Sequence, residues 1–327
     1  MKIKFLITSS LLMLLLSAIY SWFSRTAVEQ FGQLSISDGK LVTADAEVVQ
    51  LVGPSFFWSN TGWSGADFYT AETVAYFSNQ WKINVIRAAI GVEHYGGYKA
   101  LPEDNFSRLQ AVVDAAIEQG IYVIIDWHSH HAHLEPELAV DFFQKVARLY
   151  GDKPNVLYEI YNEPLDDASW QRDVKPYAEQ VIAAIRQIDP DNIIIVGSPT
   201  WSQDVDQVAQ APITSADNIA YSLHFYAASH GEPLRQKAKL AINAGLALFI
   251  TEWGTIDASG DGEIDYDSTE QWLAFIDEHQ LSHCGWSISN KLEAASFFKP
   301  EVNPQQPLDS KMLTKNGRYF KSILDGK

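Results

Sequence analysis

The stretch from Ile121 to Glu163 contains two apolar runs with the character of β-strands, IYVIIDWH (Ile121–His128) and NVLYEIYNE (Asn155–Glu163). Between them, Glu135–Tyr150 has apolar residues three and four positions apart, which is the spacing of an amphipathic helix. Continuous apolar strands are typical of parallel sheets with both faces covered. The stretch therefore predicts a strand–helix–strand unit in which both strands end in polar side chains.

The same unit recurs along the chain, with strand starts 27 to 38 residues apart. The predicted strands are Val48–Phe57, Ile83–Ile90, Ile121–His128, Asn155–Glu163, Asn192–Ser198, Ile219–Tyr226, Ala247–Trp253 and His283–Ser289. The predicted helices are Asp67–Asn79, Asp104–Gln119, Glu135–Tyr150, Ser169–Ile188, Glu232–Asn243, Ser268–Gln280 and Met312–Leu324. Eight such strands predict an α/β fold, a closed (β/α)8 TIM barrel whose functional side chains gather at the strand carboxyl ends. A doubly wound open sheet is the alternative.

Two segments precede the first long strand. Residues 1–27 combine two lysines in the first four positions with an apolar run from Phe5 to Ile19, which is typical of a signal peptide. Left uncleaved, the same segment would be an N-terminal anchor, so we expect a secreted, periplasmic or anchored protein. Leu34–Val49 predicts a short β-hairpin that turns at Asp38-Gly39 and closes the barrel bottom. Residues 28–327 are predicted to form one domain.

The composition narrows the classes of function. The chain has 24 basic and 41 acidic residues and a formal net charge of −17, which argues against nucleic acid or an anionic membrane surface as a partner. The single cysteine, Cys284, excludes an internal disulfide, a zinc ribbon or an iron–sulfur site, and we expect it to be buried. Ten tryptophans indicate either flat stacking surfaces or a large aromatic core.

Polar residues at the strand ends are the candidates for chemistry. They are Arg87, Asp126-Trp127-His128, Asn162-Glu163-Pro164, Ser198-Pro199-Thr200-Trp201, His224-Phe225-Tyr226, Thr251-Glu252-Trp253-Gly254 and Trp286. Glu163 and Glu252 end apolar strands, where burying a carboxylate without a purpose would be costly. Two carboxylates facing each other across a barrel mouth, with tryptophans around them, suit acid/base and nucleophilic attack on a glycosidic bond.

These motifs resemble the signatures of family 5 glycoside hydrolases, and in particular those of bacterial endo-β-1,4-glucanases. The resemblance covers Leu34 to Leu324 and is clearest in Asn162-Glu163-Pro164 and Thr251-Glu252-Trp253-Gly254. The family keeps eight residues around its cleavage subsite, and their counterparts here are Arg87, His128, Asn162, Glu163, His224, Tyr226, Glu252 and Trp286. The resemblance implies a retaining enzyme that cleaves internal bonds of cellulose-type glucans.

The resemblance also implies roles for the residues at the cleavage point. Glu252 is the expected nucleophile that forms a glycosyl-enzyme, and Glu163 the acid that protonates the leaving oxygen and then activates water. Retention of configuration predicts carboxyl groups ~5–5.5 Å apart. Arg87 is expected to keep Glu252 ionised by charge pairing, and Tyr226 to donate a hydrogen bond to it.

The remaining family counterparts are expected to bind sugar. Asn162 would hydrogen-bond the sugar 2-hydroxyl, and His128 and His224 would bind other hydroxyls or orient the carboxylates. Trp286 is the expected floor of the cleavage subsite, because an indole stacks on a sugar face. Trp253 is expected beside the same cleft.

The flanking subsites follow the family less closely. Trp201 resembles the platform on the leaving-group side, and Trp63 resembles the platform on the non-reducing side, with Lys291 and Glu293 as polar sugar contacts. Many relatives have a His-Gly pair after the first strand, whereas Gly53–Asn60 of this chain contains no histidine. The distal sugar sites are therefore expected to differ from the common pattern.

Two segments imitate metal sites. Ser129–His133 is rich in histidine, as in (β/α)8 amidohydrolases, but those enzymes place their His-x-His after the first strand, so we expect a polar loop at the cleft rim. Asp257, Asp261 and Asp265 have the spacing of a calcium loop, although its twelfth position is Ser268 rather than Glu. Two interpretations remain: a loop that binds a structural calcium ion, or an acidic loop that caps the next helix. Catalysis is expected to need no cofactor.

Alternative activities remain alongside the endoglucanase. The same fold and mechanism acting on β-mannan, xyloglucan or mixed-linkage glucan is the alternative within the class. A carbohydrate-binding pseudo-enzyme would need the tryptophans but not the set Glu163, Glu252, Arg87 and Tyr226, so it is disfavoured. We expect a monomer that acts on soluble or amorphous β-glucan, with no nucleic-acid or protein partner.

Overall fold

The N-terminal segment closes one end of the fold. In the computed structural model, which describes residues 25–326, it consists of helix α1 (Ala27–Phe31) and strands β1 (Ser35–Ser37) and β2 (Lys40–Val42). β1 and β2 pair antiparallel, and Asp38 and Gly39 between them have φ of 49° and 71°. Positive φ at both central residues is what a two-residue hairpin turn requires. The predicted hairpin is confirmed.

The hairpin and α1 pack against the amino-terminal ends of the barrel strands. Leu34 and Leu41 are buried in one cluster with Val85 and Tyr122, which begin two of those strands. The backbone N–H of Val28 in α1 donates to the carbonyl of Gly120 at 2.9 Å. The bottom of the barrel is therefore covered, as the sequence predicts.

The predicted leader falls mostly outside the described residues. Residues 1–24 are not among them, so the signal peptide or anchor stays a prediction. Thr26 caps α1 by accepting a hydrogen bond from the N–H of Glu29, so residues 26 and 27 are part of the packed domain. Between residues 25 and 326, no helix is long and apolar enough to cross a membrane.

Eight parallel strands form a closed barrel. They are β3 (Val52–Phe56), β4 (Val85–Gly91), β5 (Tyr122–His128), β6 (Val156–Glu159), β7 (Ile194–Val196), β8 (Ile219–Tyr226), β9 (Leu248–Gly254) and β10 (Ser282–Ile288). They follow one another around the barrel in chain order, and β10 pairs with both β9 and β3. The (β/α)8 barrel is confirmed, and the open doubly wound sheet is excluded because the sheet closes on itself.

Helices cover the outside of the barrel. They are α2 (Ala71–Trp81), α3 (Pro102–Gln119), α4 (Pro136–Tyr150), α5 (Lys175–Arg186), α6 (Val205–Gln210), α7 (Glu232–Asn243), α8 (Tyr266–Glu278) and α9 (Lys315–Asp325). Shorter helical turns are Ala66–Phe68, Ala132–Leu134, Trp170–Val174, Pro199–Ser202 and Ser310–Met312. The sequence did not predict α6, because six residues are too few to show a helical period.

The fourth barrel strand is shorter than predicted. β6 ends at Glu159 rather than Glu163, because its neighbour β7 has three residues and pairs only with Tyr158 and Glu159. Beyond the strand, the N–H of Asn162 donates to the carbonyl of Trp127 at 3.2 Å. The loop after β6 is thus held against the end of β5, at the mouth of the barrel.

Candidate active site

Arg87 lies at the centre of the barrel mouth and is fully buried on β4. Its Nε and Nη2 donate to the two carboxylate oxygens of Glu159 at 2.7 and 3.2 Å, and its Nη1 donates to Glu252 at 3.0 Å. Nη2 also lies 2.9 Å from Asp126. Burial alone would lower the pKa of Arg87, but the three carboxylates raise it well above its ordinary value. A buried cation is tolerated only with such partners, so this arginine organises the strand ends.

Glu252, on β9, is the carboxylate of this group that lines the cleft. Its Oε1 accepts a hydrogen bond from Tyr226 Oη at 2.8 Å, and its Oε2 accepts the one from Arg87. Burial and the negative charge of Glu163 raise the pKa of Glu252, against the opposing effects of His224, Arg87 and Tyr226. The expected contacts of Arg87 and Tyr226 are present, but burial outweighs their effect on the pKa.

Glu163 lies opposite, between two imidazoles. His224 Nδ1 is 2.9 Å from Glu163 Oε1, and His130 Nε2 is 3.3 Å from Glu163 Oε2. Burial would raise the pKa of Glu163, but the two histidines lower it to about 2. Burial would lower the pKa of His224, but Glu159 and Glu163 raise it to about 9. Glu163 and His224 are therefore electrostatically coupled.

The contact made by the second ring nitrogen of His224, Nε2, indicates how Glu163 and His224 hold a proton between them. His224 Nε2 lies 2.8 Å from Thr251 Oγ1, which itself donates to Glu159 Oε1 at 2.7 Å. Because the hydroxyl proton of Thr251 is used in that bond, Nε2 must carry a hydrogen. Nδ1 then either donates to ionised Glu163 or accepts from protonated Glu163. The two side chains thus share one proton between Nδ1 and Oε1.

Asn162 presents an unused donor beside Glu163. Arg87 Nη2 donates to Asn162 Oδ1 at 2.7 Å, which fixes the orientation of the amide because a guanidinium can only donate. Asn162 Nδ2 is buried and has no hydrogen-bond partner among the described residues. Leaving a buried donor unpaired is costly, so the group is available for a ligand hydroxyl.

Trp286 and His128 form the wall next to the strand ends. Their rings stack at 5.5 Å with an angle of 5° between planes, and Trp286 is 6% exposed. His128 Nδ1 is 2.6 Å from Asp126, and burial lowers the pKa of His128 well below its ordinary value. Arg87 Nη2 lies 2.9 Å from the same Asp126 oxygen, Oδ2, which makes that oxygen an acceptor, so neutral His128 donates through Nδ1 and keeps Nε2 as an acceptor.

The predicted non-reducing side is one continuous surface. Phe57 contacts both Trp286, at 5.4 Å between ring centroids, and Trp63, at 6.2 Å. Lys291 Nζ lies 5.2 Å from the centre of the Phe57 ring and pairs with Glu293. Glu293 Oε1 is buried and has no hydrogen-bond partner within the described chain. The structure thus brings together the residues predicted for this side of the cleft and leaves an acceptor open there.

Trp201 lies on the opposite side of the carboxylates. A cavity of about 520 Å³ is lined by Glu163, Glu252, Tyr226 and Trp201, among others. Trp201 is 38% exposed and sits in a tight turn with φ of 54°, and its N–H donates to the carbonyl of Pro164 at 2.9 Å. The turn holds the indole beside the acid.

Sequence reasoning missed three residues of this site. Glu159 carries the main ion pair of Arg87, His130 contacts Glu163, and Trp58 contacts His128 at 4.3 Å between ring centroids. A lone carboxylate within the apolar run NVLYEIY was a usable signal for Glu159, since such a charge needs a buried partner. Trp58 stands in the segment that lacks the His-Gly pair of many relatives, so the family resemblance predicted no residue there.

Trp253 does not line the cleft, and its predicted place was wrong. It is fully buried, its Nε1 donates to His283 Nδ1 at 3.1 Å, and its ring stacks on Phe225 at 5.4 Å. Successive residues of a strand point to opposite faces. Because Glu252 faces the mouth, Trp253 faces the helices.

The three aspartates of the calcium-like loop hold separate local bonds. Asp257 accepts from Ser229 at 2.6 Å, Asp261 from the N–H of Ala294 at 3.1 Å, and Asp265 from the N–H of Ser268 at 2.9 Å, where it caps α8. Within residues 25–326, the clusters of ligand atoms lying within 4.8 Å are Glu93–His94–His130 and Glu163–His224–Glu252. The aspartates belong to neither cluster, and calcium binding stays a prediction.

The separation of the two glutamates defines the class of enzyme. A carboxylate oxygen of Glu163 and one of Glu252 lie within 4.8 Å of each other. Carboxyl groups about 5–5.5 Å apart are typical of retaining glycosidases, whereas inverting enzymes hold them about 6.5–9.5 Å apart to admit a water. Oxygens this close fit the shorter, retaining separation, so a TIM barrel with this pair at its mouth has the arrangement of a retaining glycoside hydrolase.

Comparison with known proteins identifies the family. Residues 42–292 match the model of the cellulases, glycosyl hydrolase family 5. Endoglucanase Z of Dickeya dadantii is 47% identical over 95% of this chain and 72% of its own length. An endoglucanase of Clostridium saccharobutylicum is 36% identical over 99% of this chain and 72% of its own length. The catalytic domain of a Thermobifida fusca endoglucanase in complex with cellotetraose has a TM-score of 0.86 at 31% identity, covering 92% of this chain and 100% of that one.

The chain therefore belongs to glycosyl hydrolase family 5. The predicted family and the predicted endoglucanase class of activity are confirmed.

Proposed function

We propose that Glu252 and Glu163 cleave internal β-1,4-glucosidic bonds of cellulose-type glucans by double displacement. The observation that carries the assignment is the asymmetry of the two carboxylates. Arg87 and Tyr226 donate to Glu252, whereas His224 shares a proton with Glu163. Donors on an ionised carboxylate suit a nucleophile, and a shared proton suits a general acid.

In the first step, an electron pair of Glu252 attacks the anomeric carbon. The bond to the leaving oxygen breaks, and that oxygen takes the proton that Glu163 shares with His224. In the second step, ionised Glu163 takes a proton from water, the water oxygen attacks the same carbon, and Glu252 leaves as a carboxylate. Two inversions at one carbon retain its configuration.

Substrate binding follows from the surfaces on either side of the carboxylates. Trp286 and Trp63 provide stacking faces on one side, with Lys291 and Glu293 beside them, and Trp201 provides one on the other. Platforms on both sides suit a polymer that continues past the cleaved bond. Asn162 Nδ2 would donate to the sugar 2-hydroxyl, the group whose configuration separates glucan from mannan.

Reducing-sugar release from carboxymethylcellulose, β-mannan and lichenan tests the proposal. Glu252→Gln keeps the shape of the side chain but removes the nucleophile, so activity should fall at least about 1,000-fold. Glu263→Gln is the matched control, because that side chain is 90% exposed and should leave activity unchanged. Wild type that cuts none of the three polymers would contradict the hydrolase, and strong preference for mannan would contradict the glucanase.

Location, cofactors and assembly complete the proposal. The lysines and apolar run within residues 1–27 support export. The two carboxylates supply both nucleophile and acid, so this chemistry requires no metal. We expect a monomer by size-exclusion chromatography with light scattering.

Calcium bound by Asp257, Asp261 and Asp265 would raise the melting temperature on titration, whereas an unchanged melting temperature would argue for the hydrogen-bonded loop alone.

A further inference from the structure

A second cluster of ligand atoms lies at the rim of the cleft. Glu93 and His94 follow β4, and His130 follows β5, the adjacent barrel strand. One carboxylate oxygen of Glu93 and one ring nitrogen of each histidine lie within 4.8 Å of one another. His94 is exposed and His130 is half-buried, so this cluster opens to solvent.

Hydrogen bonds fix the position of the Glu93 carboxylate in this cluster. Glu93 accepts from Ser129 Oγ at 2.5 Å and from the backbone N–H groups of His130 and His131 at 3.1 and 3.0 Å. The Trp58 ring lies 5.5 Å from the ring of His94 and 5.6 Å from that of His130. The carboxylate is thereby fixed between the loops, and the two imidazoles lie against one indole.

We propose that Glu93, His94 and His130 bind a divalent transition-metal ion, such as Zn²⁺ or Ni²⁺, and that the bound ion inhibits the enzyme. Two imidazoles and one carboxylate are a donor set that these ions prefer, whereas Ca²⁺ and Mg²⁺ favour oxygen ligands. Ligand atoms on one tetrahedral Zn²⁺ lie about 3.4 Å apart, so the side chains need to close by at most about 1.4 Å. The exposed His94 side chain can make most of that movement.

Inhibition follows from the shared position of His130. Its Nε2 lies 3.3 Å from Glu163, the proposed acid. A divalent ion on this imidazole therefore lies next to the Glu163 carboxylate, attracts it as a further oxygen ligand and draws it away from the leaving oxygen of the substrate. The ion should therefore lower kcat. This second part rests on the proposed function, whereas binding of the ion does not.

Binding is measured first, without any substrate. Isothermal titration of the full protein with Zn²⁺ should show one site in wild type and at least about a tenfold weaker one in His94→Asn, which keeps a residue type tolerant of the positive φ of 64°. His279→Asn is the matched control, because this half-buried histidine lies outside the cluster, next to the hairpin at the opposite end of the barrel, where Lys40 contacts its carbonyl. Equal affinity in wild type and His94→Asn, or equal loss in both variants, would overturn the site.

Activity is measured on the same three proteins. Zn²⁺ and Ni²⁺ should inhibit wild type and His279→Asn, Mg²⁺ should not, and His94→Asn should need at least about tenfold more Zn²⁺ for the same inhibition. Unchanged inhibition of His94→Asn would place the ion on Glu163, His224 and Glu252 instead, the other described cluster, and overturn the proposal. Metal binding without inhibition would overturn the second part alone, and a protein that cuts no glucan would instead contradict the proposed function.

Discussion

Activity on neutral glucans should persist to alkaline pH, because the Glu163–His224 pair keeps its shared proton there. Burial would lower the pKa of His224, but Glu159 and Glu163 raise it from 6.5 to about 9. The protonated pair is the active form, so activity is present below about pH 9 and is lost as the pH rises through that value. At about pH 8, roughly 90% of the pairs would hold the proton, against roughly 3% for a histidine at its ordinary pKa.

The acid side of the profile belongs to Glu252. Burial and the charge of Glu163 raise its pKa above the ordinary 4.5. Because the ionised form is the nucleophile, activity should fall as the pH drops through this raised value. The pH dependence of kcat/KM reports these groups in the free enzyme, and we expect a bell with a broad plateau.

Two substrates separate the two limbs. A cello-oligosaccharide needs the proton on its leaving oxygen, whereas a 2,4-dinitrophenyl cellobioside has a leaving group that departs without one. Between about pH 4 and 11, both should share the acid limb, and only the oligosaccharide should show the alkaline limb near pH 9. An alkaline midpoint near 6.5, or the same alkaline limb for both substrates, would show that Glu163 and His224 do not share the catalytic proton. Activity regained at neutral pH after each exposure controls for unfolding.

Three substitutions test other parts of the structure. Asn162→Ala should lower kcat about 100-fold with little change in KM, because the free Nδ2 is expected to donate to the sugar 2-hydroxyl most strongly in the transition state. Steady-state kinetics in which only KM rises would contradict this role. Trp201→Ala should raise KM about tenfold for long oligosaccharides while the melting temperature holds, because the ring is 38% exposed and is expected to stack on substrate. An unchanged KM would exclude this role for Trp201. Gly53→Ala should lower the free energy of unfolding by about 3 kcal/mol in urea titrations, because its Cβ would lie 1.7 Å from the carbonyl oxygen of Val85. A loss below about 1 kcal/mol would contradict that packing.

The fold was predictable because its strands carry a strong signal. Runs such as IYVIIDWH are buried on both faces, so their apolar character continues through the strand and marks its place in the chain. Helix α6 was not predictable, because six residues are too few to show a helical period. The end of β6 was not predictable either, because it depends on the short length of its neighbour β7 and not on the sequence of β6 itself. The local apolar pattern thus locates a strand or helix in the chain, whereas the ends of a strand depend on the neighbouring strands with which it pairs.

The active site was predictable only where a residue type is unusual for its position. Glu163 and Glu252 stood out as charges at the ends of apolar strands. His130 did not, because its contact with Glu163 depends on how two loops meet after adjacent strands. The prediction for Trp253 was wrong because it follows Glu252 directly in the sequence, whereas successive residues of a strand point to opposite faces.

Covalent attachment of Glu252 to the sugar is the step that defines the proposed mechanism. Treating the protein with 2-deoxy-2-fluoro-β-cellobiosyl fluoride should trap the glycosyl-enzyme, since the fluorine slows its hydrolysis more than its formation. Peptide mass mapping should then locate one cellobiosyl group on the peptide that contains Glu252, and Glu252→Gln should remain unlabelled. A label on Glu163 or Glu159, or an unlabelled enzyme that releases products of inverted configuration, would contradict nucleophilic attack by Glu252.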